Sequence, residues 1–190
     1  VASVDVDLAD KDDPTTDYYI NPAYNQFVND NGDSWERSLL LKTYETFRGA
    51  NNYVEHVQEV DNSKGKIVDA AIRELEIGKD DDDKPITTLY VDLLIATSRK
   101  HATLCKQIVN GEFNAVSMGC HVDFSICTKC GTRATDETDA CEHILHQKHN
   151  TFYDGEGKKR IIAELCGHKD SKGSNVFTET SWVKKPAFSG

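Results

Sequence analysis

The chain has 190 residues, 38% of them hydrophobic, with 32 acidic and 22 basic side chains and a formal net charge of -10. That length suits one domain with room for a small insertion. No apolar run reaches the roughly 18 residues a membrane span needs, and an acidic chain offers no global basic field to nucleic acid, so neither partner is expected.

Residues 1–33 are acidic and rich in Asp, Asn, Pro and Thr. They read as an extended arm, with turns at 12–14 and 29–32 and with Tyr18, Tyr19, Tyr24, Phe27 and Val28 able to pack on the body. Residues 34–190 form the domain. Asp33 followed by Glu36 matches a capping box, and Trp35, Leu39 and Leu40 fit one helical face, while 41–47 alternate like a strand. A short helix running into a strand satisfies both signals. After a turn at 49–52 comes Tyr53-Val54-Glu55-His56-Val57, in which a lone histidine is no sign of chemistry by itself. Residues 66–75 and 88–97 alternate as paired strands. The four carboxylates at 80–83 between them repel one another and mark an exposed hairpin tip. Residues 98–110 read as a helix capped by Ser98, with Leu104, Cys105, Ile108 and Val109 as its buried stripe and Asn110-Gly111 as its end.

Residues 113–125 carry the most unusual pattern. With a period of two, Val116, Met118, Cys120, Val122 and Phe124 fall on one face and Ser117, Gly119, His121, Asp123 and Ser125 on the other, as in a half-buried strand. A hydroxyl, a glycine and two titratable groups thus stand in one row, and Gly119 leaves room beside Ser117 for a close approach. His121 is roughly 13 Å from Ser117 along a strand, too far for contact. Strands are also expected at 160–165 and at 176–183, where Phe177, Glu179, Ser181 and Val183 alternate against Val176, Thr178, Thr180 and Trp182.

Four of the six cysteines lie between 120 and 141. No secretory signal is visible, so thiols and a metal are expected rather than disulfides. Cys127-Thr128-Lys129-Cys130-Gly131 has the form of a zinc-knuckle turn, and Cys141 and His143 supply a third sulfur and an imidazole. Such a set closes a tetrahedral structural Zn2+ site. His146, His149, Cys166 and His168 compete for the fourth position. The ion would stand in for core that the 126–150 insertion cannot build.

Several stretches together resemble the prohead (capsid maturation) serine proteases of tailed bacteriophages, distantly like herpesvirus assemblin. They are Glu55-His56 after a strand, Val91-Asp92-Leu93-Leu94-Ile95 before a helix, the run 111–119 ending in Val116-Ser117-Met118-Gly119, and the terminal 177–188; the likeness covers about residues 44–190. The Cys-rich insertion is outside the family pattern, and residues 1–33 have no counterpart in it. The resemblance implies an α+β fold, a small β-barrel-like antiparallel body with flanking helices, here with the zinc-knuckle insertion. It implies Ser117 as nucleophile and His56 as base, with Glu179 as the first candidate for the orienting acid and His168 as the second. Main-chain N–H groups near Met118 or a neighbouring turn would bind the oxyanion. The implied activity is a serine endopeptidase that cleaves scaffold and capsid proteins during head maturation. It would be located in the prohead or virion, assembled in the host bacterial cytoplasm and oligomeric within the head. The alternative is a non-enzymatic structural or docking protein of the virion with the same fold and a structural zinc.

Overall fold

The computed structural model describes residues 3–4, 20, 27–79, 83–167, 171 and 175–187. In chain order the elements are β1 (Ser3–Val4), β2 (Asp33–Glu36), α1 (Arg37–Thr43), β3 (Asn51–Val54), β4 (Gly65–Lys79), β5 (Pro85–Thr97), α2 (Ala102–Val109), β6 (Ala115–His121), β7 (Ser125–Cys127), β8 (Arg133–Ala134), α3 (Glu142–His146), β9 (Thr151–Tyr153), β10 (Lys159–Ile161), β11 (Glu164–Cys166) and β12 (Val176–Val183). The protein is α+β and mostly strand. Among the described residues no helix is long and apolar enough to cross a membrane.

Two five-stranded sheets organise the chain, in the orders β5-β4-β3-β12-β6 and β1-β2-β11-β7-β8, with β9 and β10 as a separate hairpin. The first sheet is open, with β5 and β6 as its edges, so the expected barrel does not close. It is also not wholly antiparallel, because β12 runs parallel to β3 and antiparallel to β6. Its core is Trp35, Leu40, Phe47, Ile67, Ala70, Leu89, Val91 and Phe177. Phe47 and Phe177 stack with centroids 4.1 Å apart. Ile20, Phe27, Val28, Ile126, Ile161, Ala163 and Leu165 form a second core on the other sheet. Phe27 and Val28 thus pack on the body as expected, while most of the arm and the hairpin tip at 80–82 lie outside the described residues.

Three local expectations change. Residues 41–47 are helical, α1 passing into a 3-10 turn at Tyr44–Phe47, and the chain enters α1 through β2 with no side-chain cap from Asp33. Leu40 and Phe47 are both fully buried, seven residues and two helical turns apart, so burial on one helical stripe overrides the alternation. α2 begins later than expected, after His101, and Val109 is 84% exposed rather than buried. The cysteine-rich segment is not a loop attached to the body, since β7 is an inner strand of the second sheet, between β11 and β8.

Lys148 ties this segment to the N-terminal side. Its ammonium bonds Asp33 at 2.8 Å and also Glu164, all three side chains being mostly buried. Burial alone would lower the Lys148 pKa, but hydrogen bonds to both carboxylates outweigh it and raise it. At Asp33 burial wins over the hydrogen bond from Lys148, and the carboxyl is pushed up. One cation is shared between two acids, and the Glu164 charge also raises Asp33. Replacing Lys148 by Met is expected to cost about 1–3 kcal/mol near neutral pH, less than breaking a fully buried pair because the site is partly wet. Without the cation Asp33, already raised by burial, binds its proton more tightly still when folded, so the deficit should shrink as pH falls from 7 to 5. Urea unfolding at both pH values measures it.

Candidate functional site

β3 ends at Val54, and the next two residues turn sharply, with Glu55 at φ 48° and His56 at φ 57°. Non-glycine residues enter this left-handed region only when their surroundings hold them. Here the holders are visible: the Glu55 N–H donates to the Trp182 carbonyl at 3.0 Å, and the His56 N–H donates to Ser181 Oγ at 3.2 Å. The turn lifts the His56 ring over β12, where Nδ1 meets Glu179 Oε1 at 2.9 Å.

Glu179 is 1% exposed. A buried carboxylate is costly unless its oxygens are paired. Oε1 takes His56 Nδ1 and Gln58 Nε2, the latter at 3.2 Å, and Oε2 takes the Ser181 hydroxyl at 2.7 Å. In the tautomer that donates Nδ1–H to this carboxylate, Nε2 is left as an acceptor.

Ser117 lies on the next strand. In the β6–β12 register Ser117 pairs with Ser181 and Gly119 with Glu179, and partners across an antiparallel pair share a face. Ser117, Gly119, Glu179 and Ser181 therefore stand together, with His56 reaching in from the β3 side. A register shift between Phe177 and Glu179 makes this possible. Strict alternation would put Phe177 and Glu179 on one face. The extra residue, Thr178, sends Phe177 to the core with Cys120 and turns Glu179 toward Gly119. The close approach at Gly119 is by this acid: a Cβ there would sit 2.8 Å from Glu179 Oε1.

No hydrogen bond joins Ser117 to His56 among the described residues, and the His56 ring is 41% exposed. Asp123 and Ser125 leave the row, because β6 stops at His121 and the chain crosses to the second sheet. His168 is outside the described residues. A cavity of about 960 Å³ is bordered by Val116, Met118, Thr180 and Trp182 on the other face of β6 and β12, with Ser117 and Gly119 at its wall. His56 and Glu179 do not line it, whereas Ser117 and Gly119 do. Ser181 and Gln58 carried no signal in the sequence; only the fold brings them to Glu179.

A second constellation lies in the cysteine-rich segment. Cys127, Cys130, Cys141 and His143 each offer a ligand atom, all within 4.8 Å of one another. Cys127 ends β7, and Gly131 at φ 68° closes the knuckle, its N–H donating to the Cys127 carbonyl at 2.9 Å. Cys141 caps α3, whose first turn carries His143. The Cys130 and Cys141 sulfurs are 3.5 Å apart, and Cys141 Sγ is 3.8 Å from His143 Nδ1. The edge of a tetrahedron around zinc at ordinary Zn–S distance is about 3.8 Å, so the donors match a metal in number, type and spacing. Burial pushes the Cys127 thiol up to about 12. Burial also opposes the Cys130 thiolate, but hydrogen bonds from Thr132, His143 and Cys141 prevail and bring that thiol down to about 6. His146, His149 and Cys166 stand outside the cluster: His146 faces Glu142, His149 the Asp30 carbonyl, and Cys166 sits in β11. All six cysteines are free thiols.

No protein-family model, curated protein or solved structure matches this chain.

Gly119→Ala tests the packing of the acid. The added methyl has to displace a buried carboxylate, so it should cost about 1–3 kcal/mol, the usual range for overpacking. Loss of the low-field Nδ1–H resonance of His56 in the NMR spectrum would report the broken pair.

Proposed function

We propose that the protein is a serine endopeptidase with Ser117 as nucleophile, His56 as base and Glu179 as the orienting acid. The observation that carries this reading is the His56–Glu179 bond, made at a buried carboxylate on the face that Ser117 shares. A serine hydroxyl is a poor nucleophile until a base takes its proton. In the proposed reaction His56 Nε2 accepts the Ser117 proton as Oγ attacks the peptide carbonyl. The imidazolium, stabilised by Glu179, gives that proton to the leaving nitrogen as the C–N bond breaks. Water then repeats the sequence on the acyl-enzyme and frees Ser117. Oxyanion donors are available in kind: β6 pairs only with β12 among the described residues, so main-chain groups on its outer edge are not used by the sheet. Substrate binding has to bring Ser117 and His56 into contact, as catalytic hydrogen bonds often tighten only in the complex.

The resemblance of residues 44–190 to prohead proteases supports scaffold and capsid proteins as substrates and an assembling phage head as the setting. The Cys127, Cys130, Cys141 and His143 set supports a structural Zn2+, because four protein ligands leave no position for a reacting water. A second reading, a non-enzymatic virion protein with the same fold, is favoured by one observation: the missing hydrogen bond between Ser117 and His56.

Ser117→Ala decides between them. Incubation with the scaffold protein of the same phage, with and without a serine-reactive inhibitor, should show cleavage reduced by ~10³-fold or more in the variant, with zinc content and melting temperature unchanged. Normal processing by the variant would refute the endopeptidase. For the metal, elemental analysis should find one zinc per chain, and Cys130→Ser should lose most of it. Chelation should lower Tm by on the order of 10 °C. A metal-free protein of undiminished stability would remove the zinc.

A further inference from the structure

Ser181 is fully buried in β12 and touches both partners of the His56–Glu179 pair. Its oxygen donates to Glu179 Oε2 and accepts from the His56 main-chain N–H. Both other donors to Glu179, His56 Nδ1 and Gln58 Nε2, bind Oε1. Among the described residues Oε2 therefore depends on Ser181 alone. At the other end, His56 occupies the left-handed region at φ 57°, and the bond to Ser181 is the one that holds its N–H. One oxygen thus fixes the main chain that aims the ring and the carboxylate that meets it. Ser181 is also the register partner of Ser117, which places this anchor directly beside the proposed nucleophile.

We propose that Ser181 is a positioning residue that sets the heading of the His56 ring through these two bonds at one oxygen. The proposal rests on the endopeptidase reading for its effect on rate, but not for its effect on His56. With no exposed surface, Ser181 does not touch substrate. Its removal leaves Oε2 without a donor and the His56 N–H without its acceptor. Glu179 is then free to tilt, and the ring loses the heading that these two bonds give it. The effect falls on the chemical step rather than on binding.

The test uses the full chain with Ser181→Ala, peptide kinetics and proton NMR of the His56 ring. The expected result is a kcat lower by on the order of 10²-fold, as for a displaced catalytic group, with KM changed by less than about twofold. The low-field Nδ1–H resonance of His56 should shift or broaden in the same sample. A folded Ser181→Ala protein with wild-type kcat and an unchanged resonance overturns the proposal. Should Ser181→Ala not fold, Ser181→Cys fills the site with a weak acceptor and is expected to show the same two losses; a wild-type kcat and resonance there overturn the proposal equally. If Ser117→Ala leaves cleavage untouched, the endopeptidase reading fails, and the NMR arm alone decides whether Ser181 holds His56.

Discussion

A carboxylate withdrawn from water is the constraint around which the first sheet is arranged. Glu179 gives up nearly all its hydration, and in the protein interior that loss is offset only if each oxygen finds a donor. Three side chains supply them, from the turn after β3 and from β12 itself. Their placement fixes much else. β3 has to lie beside β12 so that residues 56 and 58 can reach the acid, and β6 has to present a glycine opposite it. Hydrogen bonds to a charged group are individually stronger than neutral ones, about 1.5–3 kcal/mol each. A net of three is enough to explain why a polar cluster sits where an apolar residue would pack more simply.

The strained main chain at Glu55 and His56 has the same origin. Two consecutive left-handed non-glycine residues are unfavourable by themselves, and a relaxed extension of β3 would carry the imidazole past β12 instead of over it. The turn persists because β12 accepts both of its N–H groups and because Glu55 Oε1 accepts from the Lys184 N–H at 3.2 Å. Strain held by surrounding hydrogen bonds and aimed at a single contact is an arrangement typical of functional sites. It is easier to account for if the heading of the ring matters than if His56 were a surface residue.

What the sequence revealed followed from the range of each signal. The Cys–His cluster was readable because Cys127, Cys130, Cys141 and His143 lie within 17 residues and the pattern is specific in residue type and spacing. Strands β4, β5 and β12 were readable because their alternation is long and bounded by turns. The alternation misled where tertiary structure intervened. At 41–47 packing on Leu40 and Phe47 selected helix, and at Thr178 one bulged residue reversed which side chains share a face. Ser181 and Gln58 could not be found at all, since a serine in a strand and a glutamine in a loop are ordinary until Glu179 stands between them.

The two constellations have different relations to the fold, and this separates their roles. The Cys–His set gathers ligands from β7, the knuckle and α3, all within one short stretch whose own apolar content is small. Yet Ile126 and Cys127 are almost fully buried, and β7 pairs with β11 inside the second sheet. A metal bound there would link the knuckle and α3 to β7, and Lys148, just beyond α3, ties the stretch to the body electrostatically through Asp33 and Glu164. Glu179, His56, Ser181 and Ser117 come instead from two strands, β6 and β12, and the turn after β3, spread over more than a hundred residues. Such a group stabilises nothing locally, and its long-range closure is entropically expensive. A structural staple needs only near neighbours; convergence of distant polar groups beside Gly119 is the arrangement that the proposed chemistry on a substrate would use.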